Sequence, residues 1–370
     1  MNSDLERLDG IGPATAQKLI DNGFRTIESI AAASLTELTA IDGITESVAR
    51  KIIKSAAEQS DGVLSLKFKT GEELLEEYKK RAYLTTGCKT FDTILGGGLF
   101  TQKLYEFWGS EGTGKSNMLH QLICTAALPE SKGGLGAGTI YIDPENSLSL
   151  KRIREIAPRF GLDPEAVIKG ISRTVPPNSD ALKYICSRVL ATQIEMTGAR
   201  LIILDSIATH FRSEYGAQRQ LIPERQQKAN QILHELKRCA KLYNAVAVIT
   251  NQATGDPSGY GSGIKHSMGN VIGHESEVRI QVSIKSSSKG ERKFKIEKAV
   301  DLPRDEVVLK LTETGYYDLG ETPVKLKEII SQNAPISAQK TATAAPNSET
   351  PRKTATTATS TKKIVRRKRT

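Results

Sequence analysis

The stretch Gly109-Ser110-Glu111-Gly112-Thr113-Gly114-Lys115-Ser116 constrains this chain more than any other. It satisfies the pattern G-x-x-x-x-G-K-S in full. Just before it, Leu104-Tyr105-Glu106-Phe107-Trp108 reads as a short buried strand. After it, Asn117-Met118-Leu119-His120-Gln121-Leu122-Ile123 has the apolar spacing of a helix. Strand, glycine loop and helix, in that order, are the setting in which this pattern binds phosphate. Gly109, Gly112 and Gly114 let the backbone come close to a triphosphate and aim N–H groups at it. The helix N-terminus adds partial positive charge. Lys115 is expected to reach the β- and γ-phosphates of ATP, and Ser116 to ligate Mg²⁺. Ser110, Glu111, Thr113 and Asn117 complete the nucleotide-binding stretch. The bland alternative is a chance glycine-rich turn opening a helix, but all three fixed positions and both flanks match.

Such a loop needs a sheet behind it. From residue 83 to about 320, apolar runs alternate with amphipathic helical stretches. That alternation predicts an α/β domain with a mostly parallel central sheet covered on both faces. The apolar runs are 139–143, 201–205 and 245–250. Each carries polar residues at or just past its C-terminal end: Asp143-Pro144-Glu145, Asp205-Ser206 and Thr250-Asn251-Gln252. Ligands bind at that edge of such sheets. Asp205, ending an aliphatic run, is the expected carboxylate for Mg²⁺ through water. Glu145 is placed to orient an attacking water as general base. Gln252 is an amide able to sense the γ-phosphate and pass its presence to the loop that follows. A helix N-cap or a solvated strand end is the alternative for each carboxylate.

Two polar or glycine-rich stretches interrupt this domain, 215–225 and 253–268. The second contains Gly255, Gly259, Gly261 and Gly263 with Tyr260, Lys265 and His266. A loop of that length inside a compact domain is functional or disordered. Arg, Lys and Tyr on such loops suit the backbone and bases of a single nucleic-acid strand; an ordinary flexible lid is the alternative.

Residues 1–60 hold two similar units. Leu8-Asp9-Gly10-Ile11-Gly12-Pro13 leads into a helix, and Ile41-Asp42-Gly43-Ile44-Thr45-Glu46 repeats it with Thr45 at the second glycine. Both resemble helix-hairpin-helix units, which set hairpin N–H groups against a DNA phosphate without reading sequence. Gly10 and Gly12 are the candidate contacts, with Lys18 and Arg25 nearby, and the second unit reads as structural. A helical module that never touches DNA is the alternative. Residues 61–82 form a linker in which 63–68 alternates as a lone strand does. Thr70 and Glu73 make a capping box for the helix after it. A tethered strand bearing Phe68 either adds to a neighbouring protomer or packs on its own core.

The net charge of +10 is uneven: residues 332–370 carry nine basic residues and one acid, so the rest of the chain is nearly neutral. The high pI therefore belongs to the tail. Residues 332–361 are expected to be disordered. Lys362-Lys363-Ile364-Val365-Arg366-Arg367-Lys368-Arg369 is a basic arm for non-specific nucleic-acid binding or a solubilising tail. The cysteines, Cys88, Cys124, Cys186 and Cys239, are too scattered for a zinc pair or a disulfide framework. They fit a reducing compartment, the cytoplasm. Neither a signal peptide nor an 18-residue apolar span is read, so no membrane association is expected.

Together these motifs resemble one family, the archaeal RadA recombinases, related to bacterial RecA and the eukaryotic recombinases. The resemblance covers roughly residues 5–318. It is carried by 8–19, Lys79-Lys80-Arg81-Ala82, Leu95-Gly96-Gly97-Gly98, the phosphate loop, Gly133-Gly134-Leu135-Gly136 and Tyr141-Ile142-Asp143-Pro144-Glu145-Asn146. Glu224-Arg225-Gln226-Gln227, Leu242-Tyr243-Asn244 and Thr250-Asn251-Gln252 complete it. It implies a RecA-like P-loop ATPase core at 83–320, a small all-α helix-hairpin-helix domain at 1–60, a linker with a polymerisation strand at 61–82, and a disordered basic tail at 321–370. It implies a DNA-dependent ATPase, nucleoid-associated, that forms helical filaments on single-stranded DNA, or rings without it. That filament exchanges strands with homologous double-stranded DNA in repair. Lys115 and Ser116 would hold ATP and Mg²⁺, Glu145 would activate water, and Gln252 and His274 would sense the γ-phosphate. Phe68, with Gly71, would dock on a neighbour. Arg212, Arg219, Gly255 and Lys265 would bind DNA, and Lys298, Asp301 and Pro303 would cap a neighbour's ATP.

The sequence departs from the family in three places. The usual Phe-x-x-Ala is Phe68-Lys69-Thr70-Gly71, a loss of under about 1 kcal/mol for one methyl. The usual Asp-x-Pro-x-Leu-Pro cap is Lys298-Ala299-Val300-Asp301-Leu302-Pro303, in which Lys298 is expected to supply the charge a monovalent cation would otherwise give. The loop at Tyr215 is one residue longer. The competing readings are a recombinase paralogue that assists loading with little ATP hydrolysis, and a hexameric helicase of the same core, disfavoured by the N-terminal domain and the Phe68 linker.

Overall fold

Among the described residues nine strands follow one another across the central sheet, with the short strand Lys265–His266 paired off that path: β1 Leu104–Gly109, β2 Thr139–Ile142, β3 Ile171–Thr174, β4 Leu201–Leu204, β5 Val246–Thr254, β6 Val278–Ile284, β7 Glu291–Lys298, β8 Glu306–Thr312 and β9 Gly315–Asp318. The computed structural model describes residues 4–60, 68–216, 219–254, 265–266, 270–285 and 290–324. The chain divides into two compact units, 1–329 and 330–370; residues 325–370, with the basic arm, lie outside the described residues, as do 61–67 of the expected linker strand. Across the sheet the order is β9-β8-β7-β6-β1-β5-β4-β2-β3. Strands β3 to β6 pair in parallel, and β6 to β9 antiparallel. The expected mostly parallel α/β sheet is borne out.

The parallel strands are apolar runs because both their faces are covered. Every residue of β1, β2 and β4 is buried. Successive side chains alternate between faces. Ile140 and Ile142 join a cluster with Phe211 and Ile232, while Tyr141 joins the opposite one with Met118 and Leu122. Each such aliphatic side chain stabilises the fold by about 1.5–3 kcal/mol. The antiparallel half is the part that motif reading does not supply. There β6 alternates buried and half-buried positions, as a sheet packed mainly on one face does. Phe294 of β7 ties it to the rest, edge-on to Phe107 of β1 at 6.4 Å between ring centroids.

The N-terminal helices Pro13–Asp21, Ile27–Ala31, Leu35–Thr39 and Glu46–Gln59 surround a core of their own that includes Leu5, Leu19, Ile30, Leu38 and Ile52. Gly10 and Gly43 take the left-handed conformation that both hairpins need, with φ of 89° and 83°. Thr45 replaces Gly12 without strain, since those residues have φ of −77° and −95°. Lys18 donates to the Asp42 carbonyl at 2.9 Å, which joins the first unit to the second. The expected capping box is present: Thr70 N–H donates to Glu73 Oε2 at 2.6 Å, and Glu73 N–H to Thr70 Oγ1 at 3.2 Å.

One buried charge sits beneath the phosphate loop. Glu106 of β1 accepts from Arg279 Nε of β6 at 2.6 Å and from Asn251 Nδ2 of β5 at 2.9 Å, so three adjacent strands share it. Replacing Arg279 by Met strands that carboxylate, and should cost about 3–5 kcal/mol in chemical denaturation. Adding Glu106→Leu should recover most of the loss; a single variant as stable as wild type would refute this account.

Candidate functional site

The loop after β1 turns into the helix Lys115–Ala126. A side chain at Gly109 would collide with the Val282 carbonyl oxygen on β6, and one at Gly114 with the Tyr316 hydroxyl. Gly114 also caps the helix in the left-handed conformation, φ 99°. These contacts, rather than flexibility, fix the two glycines. Lys115 Nζ donates to the Gly109 and Ser110 carbonyls, both at 2.9 Å. Burial lowers its pKa below that of an ordinary lysine, while Asp205, Glu145 and Glu111 pull it back up.

Asp205 follows β4 and gathers hydroxyls from several elements. Its Oδ2 accepts from Ser116 at 2.8 Å, Tyr141 at 2.9 Å and Ser147 at 2.6 Å. Its Oδ1 accepts from Thr250 of β5. Asp143 behaves differently: it accepts from the N–H groups of Ser147 and Leu148 and pairs with Arg173 at 2.8 Å, shaping the turn that carries Glu145. Glu145 Oε1 accepts from Ser206 Oγ at 2.6 Å, Thr209 Oγ1 at 3.0 Å and Gln252 Nε2 at 2.7 Å. The other end of that amide, Gln252 Oε1, accepts from Arg212. Gln252 lies opposite Gly109 in the parallel register. Lys115, Ser116, Glu145, Asp205, Gln252 and Arg212 thus meet at the C-terminal edge of the parallel strands.

The remaining expected residues have these surroundings. Asn117 Oδ1 accepts from Arg152 at 3.2 Å. His274 belongs to the helix Asn270–Glu275, whose C-terminal end is clasped by Lys298: Nζ donates to the Gly273 and Ser276 carbonyls at 2.7 and 2.9 Å. A cation suits that end of a helix. Asp301 pairs with Lys103 at 2.5 Å, and Pro303 is exposed. Arg219 opens the short helical turn Arg219–Leu221. Lys265 pairs through its backbone with Thr254 at the end of β5. Gly255 lies outside the described residues. Phe68 is fully exposed, and open space surrounds the place a methyl on Gly71 would take.

Among the described residues no group of three or more His, Cys, Asp or Glu side chains is arranged to hold a metal ion. Mg²⁺ takes oxygen ligands, few of them from protein where substrate phosphates supply the rest. The oxygen donors Ser116 and Asp205 fit that chemistry. Also among the described residues, no helix is long and apolar enough to cross a membrane.

The fold and this site define a class: a nucleotide-binding protein with its phosphate loop at the edge of a mostly parallel sheet. The Rad51 family model matches residues 78–319, and a model for a SAM-like helix-hairpin-helix tandem matches residues 3–58. The chain belongs to the Rad51 family. It is 37% identical over 316 residues to the DNA repair and recombination protein RadA of Aeropyrum pernix, covering 85% of this chain and 97% of that one. It is also 37% identical over 322 residues to the protein of the same name from Ignicoccus hospitalis, covering 85% and 96%. The resemblance to archaeal RadA is borne out.

His120 is a residue that motif reading passes over. Buried one turn beyond Ser116, its Nε2 accepts the Ser149 N–H at 2.9 Å, tying the helix to the segment that follows Glu145. A histidine on the apolar face of a phosphate-loop helix was the available signal. Burial lowers its pKa from 6.5 to about 4, so it is neutral at pH 7. Between those values the unfolded chain takes up a proton that the folded chain refuses. This contribution to stability is complete above pH 6.5 and is lost as pH falls toward about 4, up to about 3 kcal/mol in all. His120→Gln should flatten the pH dependence of the unfolding midpoint across that window; an unchanged slope would contradict the assignment.

Proposed function

We propose that this protein is a recombinase of DNA repair that binds ATP with Mg²⁺, assembles on single-stranded DNA as a filament of its own copies, and exchanges strands with a homologous duplex. The observation that carries this reading is the meeting of Lys115, Ser116, Asp205, Glu145, Gln252 and Arg212 at one sheet edge, in a member of the Rad51 family. Bound ATP would supply the γ-phosphoryl group that water attacks, with ADP as the leaving group, and Mg²⁺ would supply the counter-charge. Lys115 and the loop N–H groups would hold the phosphates, and Ser116 and, through water, Asp205 would hold the metal. Three donors fix Glu145 Oε1, and in this reading Oε2 is the base toward water. Arg212 lies in the last turn of the helix Ala208–Tyr215, which precedes the Arg219 turn in the chain, and Gln252 precedes the Gly255 stretch. Both proposed DNA loops therefore follow residues linked to Glu145, Gln252 directly and Arg212 through Gln252. Phe68, exposed ahead of its helix, docks on the next copy. The helix-hairpin-helix lobe offers Gly10 and Gly12 to duplex phosphates.

The alternative, a loading paralogue with little hydrolysis, is disfavoured by the assembled Lys115, Glu145 and Gln252. Strand exchange with wild type beside Lys115→Ala, Glu145→Gln and Phe68→Ala tests the reading. Lys115→Ala should abolish ATP-dependent exchange, and Glu145→Gln should cut ATP turnover by about 10²–10⁴-fold. Phe68→Ala should leave monomers where negative-stain microscopy of wild type with ATP and single-stranded DNA shows filaments. Wild type that stays monomeric and exchanges nothing defeats the proposal.

Lys298 supplies, in this reading, the charge that a monovalent cation would otherwise give between protomers. Its ammonium rests on two main-chain carbonyls, the ligands such an ion would take. Wild-type ATPase should be indifferent to potassium, and Lys298→Ala should be slower and partly restored by it. A variant as active as wild type and indifferent to potassium would rule this out.

A further inference from the structure

The strand β9 runs directly behind the phosphate loop. Tyr316 on it is fully buried, its ring edge-on to Phe294 at 5.3 Å between centroids. Its hydroxyl donates to the Gly114 carbonyl at 3.0 Å. The glycine is what admits that hydroxyl, since a β-carbon at 114 would occupy its place. The strand is fastened to the same helix a second time, because Gln121 Oε1 accepts the Tyr316 N–H at 2.7 Å and Gln121 Nε2 donates to the Tyr316 carbonyl at 3.4 Å. Arg159 also donates to that carbonyl and lies over the Tyr317 ring at 3.5 Å. Burial raises the phenol pKa, so the hydroxyl stays a donor.

The Gly114 carbonyl and the Lys115 N–H belong to one planar peptide unit. That carbonyl already accepts the helical bond from Met118 N–H at 3.2 Å. A second donor on the same oxygen fixes the peptide plane. It thereby fixes the direction of the Lys115 N–H, which points the opposite way, out of the helix N-terminus.

We propose that Tyr316 is a positioning residue for nucleotide: by holding the Gly114 carbonyl it aims the Lys115 N–H and the first helical turn at the phosphates. This rests on the nucleotide reading of the loop. Tyr316→Phe keeps the ring and its packing and removes only the donor. Tyr317→Phe is the control, because that hydroxyl contacts Thr314 Oγ1 at 2.7 Å and the Val324 N–H at 3.3 Å, away from the loop. In the full chain, equilibrium binding of a fluorescent ATP analogue with Mg²⁺, steady-state ATPase kinetics and thermal melting are compared. Tyr316→Phe should weaken nucleotide binding and raise KM together by roughly two- to tenfold, the effect of one hydrogen bond. Its kcat should stay within about twofold of wild type, and Tyr317→Phe should leave both constants unchanged. Wild-type affinity in Tyr316→Phe overturns the proposal, whatever happens to the melting temperature, since that pattern marks a purely structural tyrosine. A wild type that binds no ATP overturns the nucleotide reading itself, and this proposal with it.

Discussion

The carboxylate of Asp205 is the knot of the site. It is buried at the end of β4 and accepts hydroxyls from the phosphate-loop helix, from β2, from the turn after β2 and from β5. A buried carboxylate needs such donors, because burial without them costs several kcal/mol. The need works in both directions. Ser116, Tyr141, Ser147 and Thr250 are held in place because they satisfy the charge, so the ends of three strands and the start of one helix are fixed relative to one another. It also bears on the proposed metal. A carboxylate already accepting four hydroxyls would meet a cation through water without surrendering its donors, whereas direct ligation would break the arrangement that positions Ser116.

A second constraint lies one layer below. Glu106 breaks an otherwise apolar strand, and its partners Arg279 and Asn251 come from the strands on either side. Replacing such a group with apolar residues is often harmless to stability, so its value here is better sought in specificity. A strand that must set one carboxylate against one guanidinium and one amide has a single neighbour order and register. The loop after β1 depends on that register, since Gly109 is packed against the Val282 carbonyl of β6.

What was legible in the sequence was what is local. The phosphate loop, the polar residues at strand ends and the Thr70–Glu73 capping box each span a few residues, and the structure holds each where the pattern put it. What was not legible depends on residues far apart in the chain. Tyr316 and Gly114 are separated by 202 positions, and Lys298 lies 25 from Gly273. No spacing rule announces either contact. The antiparallel half was partly legible, since Val278–Ile284 alternates cleanly, but no motif falls on it to draw the eye. The second hairpin shows which of its two glycine positions matters to the turn. Thr45 stands where the first hairpin has Gly12, and that backbone position is extended and accepts any residue. Only the left-handed position, Gly43, is constrained.

The amide of Gln252 shows how the two halves of the proposed function share one piece of chemistry. Its NH₂ donates to Glu145 and its oxygen accepts from Arg212. An amide has one end of each kind, so turning it over would set oxygen against carboxylate and NH₂ against guanidinium, both repulsive. Its orientation is therefore imposed jointly by a residue proposed to activate water and one proposed to meet DNA. If DNA draws the Arg212 guanidinium away, the amide loses the partner that holds its oxygen, and the donor end on Glu145 is freed to move with it. Such a coupling would need no long pathway, because a single planar group with two unlike ends lies between the two proposed sites.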